Sequence, residues 1–157
     1  MTKLMMPKVD RKLLSKKDTI IVNLKKIIKA ENVIGHEDQV RPYETDALSA
    51  YKQKPLAVVF PENAKEVSKI LAYCNQERIK VVPRGAGTGL SGGALPLEDG
   101  ILLCLGKFNK ILEIDYKNRC VVAQPGVTNL SITQAVQDQG FYYAPDPSSQ
   151  IACSIGG

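Results

Sequence analysis

One stretch constrains this chain more than any other: Pro83-Arg84-Gly85-Ala86-Gly87-Thr88-Gly89-Leu90-Ser91-Gly92-Gly93. It holds five of the 12 glycines and follows directly on Ile79-Lys80-Val81-Val82, a β-branched run. Glycine serves where a backbone must take positive φ or lie against a ligand. A turn of this composition leaves successive N–H groups unpaired and facing one concavity, which suits a phosphate. Arg84 is expected to place a fixed positive charge at the mouth, with Thr88 and Ser91 adding hydroxyl donors. The competing reading, a flexible surface linker, fits poorly with a strand that runs flush into the loop.

The residues before the loop read as a β-α-β unit. Leu56-Ala57-Val58-Val59-Phe60 is a buried strand, and Asn63 with Glu66 makes a capping box for a helix. Val67, Ile70, Leu71 and Cys74 keep the spacing of one buried stripe. Ile79 to Val82 is the second strand, so two parallel strands with a right-handed crossover are expected. The loop then leaves the carboxyl end of a strand, where open α/β sheets bind ligands.

Gly87-Thr88-Gly89-Leu90-Ser91-Gly92 also satisfies G-x-G-x-x-G, with Glu113 placed where a Rossmann ribose acid would stand. That fingerprint needs a helix opening inside the loop, because the helix N-terminus holds the pyrophosphate. Gly93-Ala94-Leu95-Pro96-Leu97-Glu98-Asp99-Gly100 would interrupt any such helix. The match is read as coincidence.

Downstream the pattern changes to short strands. Ile101 to Leu105 is one; Ile111 to Asp115 and Cys120 to Gln124 form a hairpin whose bend falls on Asn118. Thr128 caps a short helix to about Asp138, and Gly140 stops it. In Phe141-Tyr142-Tyr143-Ala144-Pro145-Asp146-Pro147-Ser148-Ser149, prolines on both sides of Asp146 fix the backbone. That rigid segment, with Cys153-Ser154-Ile155-Gly156-Gly157 after it, looks like a second surface shaped to a ligand; an ordinary Pro-rich turn is the alternative.

Upstream, Met1 to Lys17 is expected to be a loose basic tail. Asp18 or Thr19 caps a helix to about Ala30, with Ile20, Leu24, Ile27 and Ile28 on one face and Lys25, Lys26 and Lys29 on the other. Such a helix can lie on a membrane surface, but four aliphatics without an aromatic favour packing on the domain. Gly35 to Lys54 is polar and turn-rich, and contains Arg41-Pro42-Tyr43-Glu44-Thr45-Asp46. The organisation expected is therefore a lead-in over residues 1–50 and a ligand-binding domain over 51–157.

The net charge of +5 belongs to the first 54 residues, which carry 12 Lys/Arg against 7 Asp/Glu. With no base-reading or aromatic interleaving there, nucleic acid is not an expected partner. No run approaches the roughly 18 apolar residues of a membrane span. The N-terminus has no apolar signal core, so a cytoplasmic protein is expected. Cys74, Cys104, Cys120 and Cys153 form no C-x-x-C pair, and His36 stands alone. Buried reduced thiols are expected rather than a metal site or disulfides.

Four motifs in order over roughly residues 50–157 resemble FAD-linked oxidases of the p-cresol methylhydroxylase or vanillyl-alcohol oxidase type. They are the glycine loop, Pro125-Gly126-Val127, Pro145-Asp146-Pro147-Ser148-Ser149 and Ser154-Ile155-Gly156-Gly157. The D-lactate dehydrogenase and glycolate oxidase FAD-subunit branch is the most similar, and the Tyr43–Asp46 region looks like its lead-in. The resemblance implies an α+β FAD-binding domain, here incomplete: a β-α-β subdomain followed by the start of a second, mixed-sheet subdomain. It implies that the loop from Pro83 through Ser91, with the N–H groups of Arg84, Gly85, Ala86, Gly87, Thr88, Gly89 and Leu90, holds the FAD pyrophosphate. Pro145, Asp146, Ser148 and Ser149 would line the cofactor, and Ser154, Ile155, Gly156 and Gly157 would pass close to the ribityl chain and flavin. Some relatives attach flavin through a histidine in the first loop, where this chain has Ala86 and Thr88. Others use a cysteine near the position of Cys153. A non-covalent FAD is expected here. The family's substrate-handling arginine, histidine and acidic residues come from a later part, and none maps onto this sequence. The resemblance thus implies an N-terminal portion with no assignable catalytic residue, one that meets a small 2-hydroxy acid only when the remaining segment or a partner subunit supplies its site.

Overall fold

A computed structural model describes residues 6–156; Met1–Met5 and Gly157 lie outside the described residues. The chain enters through a short helix, Arg11–Ser15 (α1), capped by Asp10, whose Oδ1 accepts from Lys12 N at 2.9 Å. From Asp10 onward the expected loose tail is therefore ordered. The cause is Asp99, a buried carboxylate whose Oδ2 accepts from Asp10 N and Lys80 Nζ, each at 2.7 Å. Burial pushes the Asp99 carboxyl up, but the hydrogen bonds from Lys80 and Asp10 outweigh it and hold the group below its ordinary range.

Lys17–Ile27 (α2) follows, and its cap residue Lys16 makes no side-chain cap bond, so neither Asp18 nor Thr19 caps it. Ile20, Leu24 and Ile28 are buried while Lys25, Lys26 and Lys29 are exposed. The apolar stripe packs into the core, which supports the domain-facing reading over the membrane one. Val33–Ile34 (β1) and Glu37–Val40 (α3) lead to Ala57–Val59 (β2), the first strand expected. Asn63 caps Ala64–Glu77 (α4) by accepting from Glu66 N at 3.0 Å. Glu66 reaches back to Glu62 N at 2.7 Å rather than to the cap residue itself. Ile70 and Cys74 are buried as the spacing predicts, but Leu71 is 44% exposed and lies outside the stripe.

Lys80–Arg84 (β3) runs into the glycine loop, and Gly100–Cys104 (β4) follows it. The sheet order is β1-β2-β4-β3, so β4 lies between the two strands of the β-α-β unit and is parallel to both. Every residue of β4 is buried. A continuous apolar run without alternation belongs at the centre of a parallel sheet covered on both faces. One face carries Ile20, Leu24, Ile70 and Cys74, and the other carries Val40, Val58, Val82 and Leu102.

Beyond the sheet, Ile111–Asp115 (β5) and Cys120–Ala123 (β6) form a separate antiparallel pair. The expected bend on Asn118 is an Asx arrangement, in which Asp115 accepts from Asn118 N at 2.9 Å. The left-handed residue is Arg119, at φ 55°. Thr128 caps Asn129–Val136 (α5), accepting from Ser131 N, and Gly140 at φ 76° ends the turn that follows. Cys74 and Cys104 are buried, whereas Cys120 is exposed and Cys153 half-buried, so the reading of buried thiols holds for only part of the set. Among the described residues, no helix is long and apolar enough to cross a membrane.

Candidate cofactor site

β3 delivers the glycine loop to the carboxyl end of the parallel sheet. Gly87 (φ +72°) and Gly92 (φ +74°) sit in the left-handed region, which costs an L residue on the order of 1–2 kcal/mol. At Gly89 and Gly93 an added Cβ would meet nothing within 4 Å, so the bare backbone is open to approach. Among the described residues, no backbone N–H from Gly85 to Ala94 donates to a protein acceptor. Several carbonyls, by contrast, are held: Arg84 O by Leu105 N at 2.9 Å, Gly87 O by Ala47 N at 2.9 Å, and Gly92 O by Leu95 N at 3.2 Å. Anchored carbonyls with free donors make a seat suited to an anion. No helix opens here; the chain turns directly into β4, which removes the Rossmann reading.

Arg84 does not stand at the loop's mouth. Its side chain is buried, and Nε and Nη2 donate to Ala94 O at 3.2 and 2.6 Å. The guanidinium thus ties the two ends of the loop together. Burial lowers its pKa, against the opposing influence of Cys104, Asp46 and Tyr43. Burial also pushes the neighbouring Cys104 thiol up to about 11, so it stays protonated at neutral pH.

Two cavities flank the loop. One of about 430 Å³ lies between the loop and the lead-in, lined by Tyr43, Asp46, Phe60, Arg84, Ala86 and Cys104 among others. Tyr43 and Phe60 meet edge to face there, with centroids 5.8 Å apart. Asp46 is buried; its Oδ1 accepts from Leu48 N at 2.9 Å, and its Oδ2 has no partner. The other cavity, of about 340 Å³, is lined by Pro83, Arg84, Gly85, Gly87, Thr88, Gly89, Ser91 and Gly156 together with Leu105.

Gly156 reaches that second cavity because the C-terminal segment is laid along the start of α5. Gly156 N donates to Pro125 O and Ile155 N to Val127 O, both at 2.9 Å, and Asn129 N donates to Cys153 O at 3.0 Å. Thr128 and Ser154 form an antiparallel bridge. The fit is close: a Cβ on Gly156 would lie 2.2 Å from Pro125 Cβ, and one on Gly126 would lie 2.5 Å from Leu105 O.

The predicted residues therefore separate into two groups. The glycine loop and Gly156 share one cleft, with Ala86 on the neighbouring cavity. Leu90 is 72% exposed at the loop's tip. Pro145, Asp146 and Ser148 are exposed and line neither cavity, and Ser149 is half-buried. That segment is held to α5 by Asn129 Nδ2, which donates to Pro145 O at 3.0 Å. Ser154 is half-buried with a partnerless Oγ, Ile155 is 38% exposed, and Gly157 lies outside the described residues. Sequence reasoning missed Ala94 as the acceptor for Arg84, and Asn129 as the clamp on Pro145. For the second, the sequence offered only an asparagine directly after the helix cap Thr128, with nothing to show that it is buried. Ala94 carried none, because its part is played by its backbone.

Comparison with known proteins bears on what the cleft holds. Residues 55–157 match the family model described as an FAD binding domain. Over 152 residues the chain is 49% identical to the glycolate oxidase subunit GlcD of Escherichia coli (strain K12), covering 97% of this chain and 29% of that protein. It is 34% identical over 139 residues to a D-lactate dehydrogenase of Anaerostipes hadrus, covering 88% of this chain and 29% of that one. The solved structure of p-cresol methylhydroxylase shares the fold, with a TM-score of 0.70 over 84% of this chain and 26% of its own, at 24% identity. The chain thus spans less than a third of the length of these relatives. The loop's free amides and open glycines fit the pyrophosphate of a dinucleotide, and no histidine stands in the loop to bond a flavin covalently. On these grounds the chain belongs to the FAD binding domain family, in its p-cresol methylhydroxylase-type fold, and FAD is its cofactor.

Proposed function

We propose that this chain is the FAD-binding portion of a flavin-dependent enzyme that oxidises a D-2-hydroxy acid of the D-lactate or glycolate class. The observation that carries the reading is the cleft shared by the free amides of the glycine loop and Gly156. The N–H groups from Arg84 to Leu90 hold the pyrophosphate there, and Thr88 and Ser91 add hydroxyl donors beside them. By likeness to the family, Ser154, Ile155, Gly156 and Gly157 would serve the ribityl chain and flavin, and Pro145, Asp146, Ser148 and Ser149 would add backbone and hydroxyl contacts to the cofactor from outside the loop's cleft. When bound, the flavin supplies the hydride-accepting chemistry, while protein groups position the substrate and its proton. The substrate class is supported by the likeness to GlcD and D-lactate dehydrogenase. No residue of this chain is assigned to handling the acid.

Alone, the 157 residues are expected to bind FAD non-covalently and to turn over little or no substrate. Flavin absorbance of the purified chain, followed by a steady-state assay with D-lactate or glycolate and an artificial acceptor, tests both halves. A chain that never takes up flavin sinks the first half; robust turnover sinks the second. A second reading, a non-catalytic FAD-binding subunit that docks on a partner carrying the rest of the enzyme, is favoured by the apolar residues left exposed around β5 and β6.

A further inference from the structure

The two loop glycines that take left-handed φ, Gly87 and Gly92, are both touched by one short piece of the lead-in. Ala47 N donates to Gly87 O at 2.9 Å, and Leu48 Cδ2 lies 3.5 Å from where a Cβ on Gly92 would stand. Residues 44–53, which supply both contacts, contain no helix or strand. They close on themselves instead. Thr45 Oγ1 donates to Tyr51 O at 3.0 Å, Tyr51 N to Leu48 O at 3.3 Å, and Gln53 N to Glu44 O at 2.7 Å.

Asp46 sets the direction of that turn. Its Oδ1 accepts from Leu48 N at 2.9 Å, the local bond by which an aspartate fixes the backbone two residues on. The ring closed by this bond encloses Ala47, so it also fixes where Ala47 N points. Asp46 is buried, at 6% exposure, yet its Oδ2 has no partner. An unpaired buried carboxylate oxygen is unfavourable, so burial alone gives no reason for an aspartate here. Arg84 lines the same cavity as Asp46 and Gly87, and its positive charge offsets part of that cost. The attraction runs both ways: burial lowers the pKa of Arg84, and Asp46 is among the groups that oppose it.

We propose that Asp46 is a positioning residue for cofactor binding. Through the turn it closes, Ala47 and Leu48 hold Gly87 and Gly92 in the conformation that leaves the loop's amides free for the pyrophosphate. A seat ordered before its ligand arrives loses less conformational freedom on binding. The inference rests on the reading of the glycine loop as the pyrophosphate seat; the contact between turn and loop stands on its own geometry.

The test compares Asp46→Ala with Asp46→Ser in the 157-residue chain. Both remove the charge and Oδ2, but the serine hydroxyl still accepts from the N–H two residues on. Asp46→Ala is expected to weaken FAD binding at least about fivefold, the equivalent of one lost hydrogen bond. Titration measures this on chain that circular dichroism shows to be folded, and Asp46→Ser should lie closer to the parent than to Asp46→Ala. Amide exchange gives a readout without FAD. Protection of the Ala47 N–H should fall at least about fivefold in Asp46→Ala and return in Asp46→Ser. Asp115→Ala removes the corresponding turn bond, to Asn118 N in the hairpin, and should change neither measurement. Should Asp46→Ala fail to fold, Leu48→Ala, at a half-buried position, takes its place and should shift the Gly92 and Gly93 amides; amides that stay in place would overturn the proposal. So would FAD affinity unchanged in Asp46→Ala, losses equal in Asp46→Ala and Asp46→Ser, or an equal loss in Asp115→Ala. A parent chain that takes up no FAD would instead count against the pyrophosphate seat, and Ala47 exchange would then decide the turn's hold on the loop by itself.

Discussion

Replacing Gly87 by valine removes bound FAD while leaving most of the fold in place. The residue sits at φ +72°, where a β-branched side chain is strained, at a cost of about 1–3 kcal/mol. Space is not the obstacle, because a Cβ there meets only the Arg84 side chain, at an ordinary 3.5 Å from Cδ and farther from Nε and Cγ. The strain instead moves the backbone that carries the free amides, and the side chain occupies the approach to them. Flavin affinity is expected to weaken at least about tenfold, or roughly 1.4 kcal/mol. Gly89→Ala is the control: its φ is unstrained and its surroundings are open, so stability should not change. Titration with FAD followed by flavin fluorescence measures the affinity of each variant, and thermal denaturation followed by circular dichroism its stability. Flavin binding by Gly87→Val equal to that of the parent chain would remove the loop from the site.

The second large effect falls on folding. Gly126 is wedged between backbone carbonyls, and a Cβ there would lie 2.5 Å from Leu105 O and 2.8 Å from Phe108 O. Gly126 N also donates to Phe108 O at 2.7 Å, which pins the loop after β4 to the strand leaving the hairpin. Backbone atoms cannot rotate out of the way as a side chain can. Gly126→Val should therefore cost about 3 kcal/mol, the upper end of the usual range for overpacking, because the clash is with backbone that cannot yield. Chemical denaturation monitored by circular dichroism reads this directly. A midpoint unchanged from the parent would mean that β6 and α5 are not held to the first sheet in the way described.

Local rules made much of this legible in the sequence. Asn63 and Thr128 cap the helices they were expected to cap, because capping depends on one side chain and the N–H two or three residues on. Glycines at Gly87 and Gly92 mark backbone that had to turn left-handed. Arrangements set by distant partners were not legible. The insertion of β4 between β2 and β3 depends on pairing across more than forty residues, from Ala57 to Ile101. The order of α1 depends on Asp99, which is 89 residues away from Asp10. Arg84 followed the same rule: a cation beside a glycine loop suggests an anion, but this one is buried on Ala94 O. The proline-flanked segment from Pro145 to Ser149 reads in the sequence as a second surface shaped to a ligand. The fold holds it to α5 through Asn129, outside the cleft that Gly156 shares with the loop, a placement that no local pattern announces.

The central claim is that main-chain amides of the glycine loop hold the pyrophosphate of FAD. Amide-resolved NMR of the 157-residue chain, recorded before and after addition of FAD, tests it most directly. The account predicts that the N–H resonances of Gly85 to Leu90 shift and that their exchange with solvent slows, while those of α4 stay in place. FAD that binds and leaves the Gly85–Leu90 amides unshifted would contradict it.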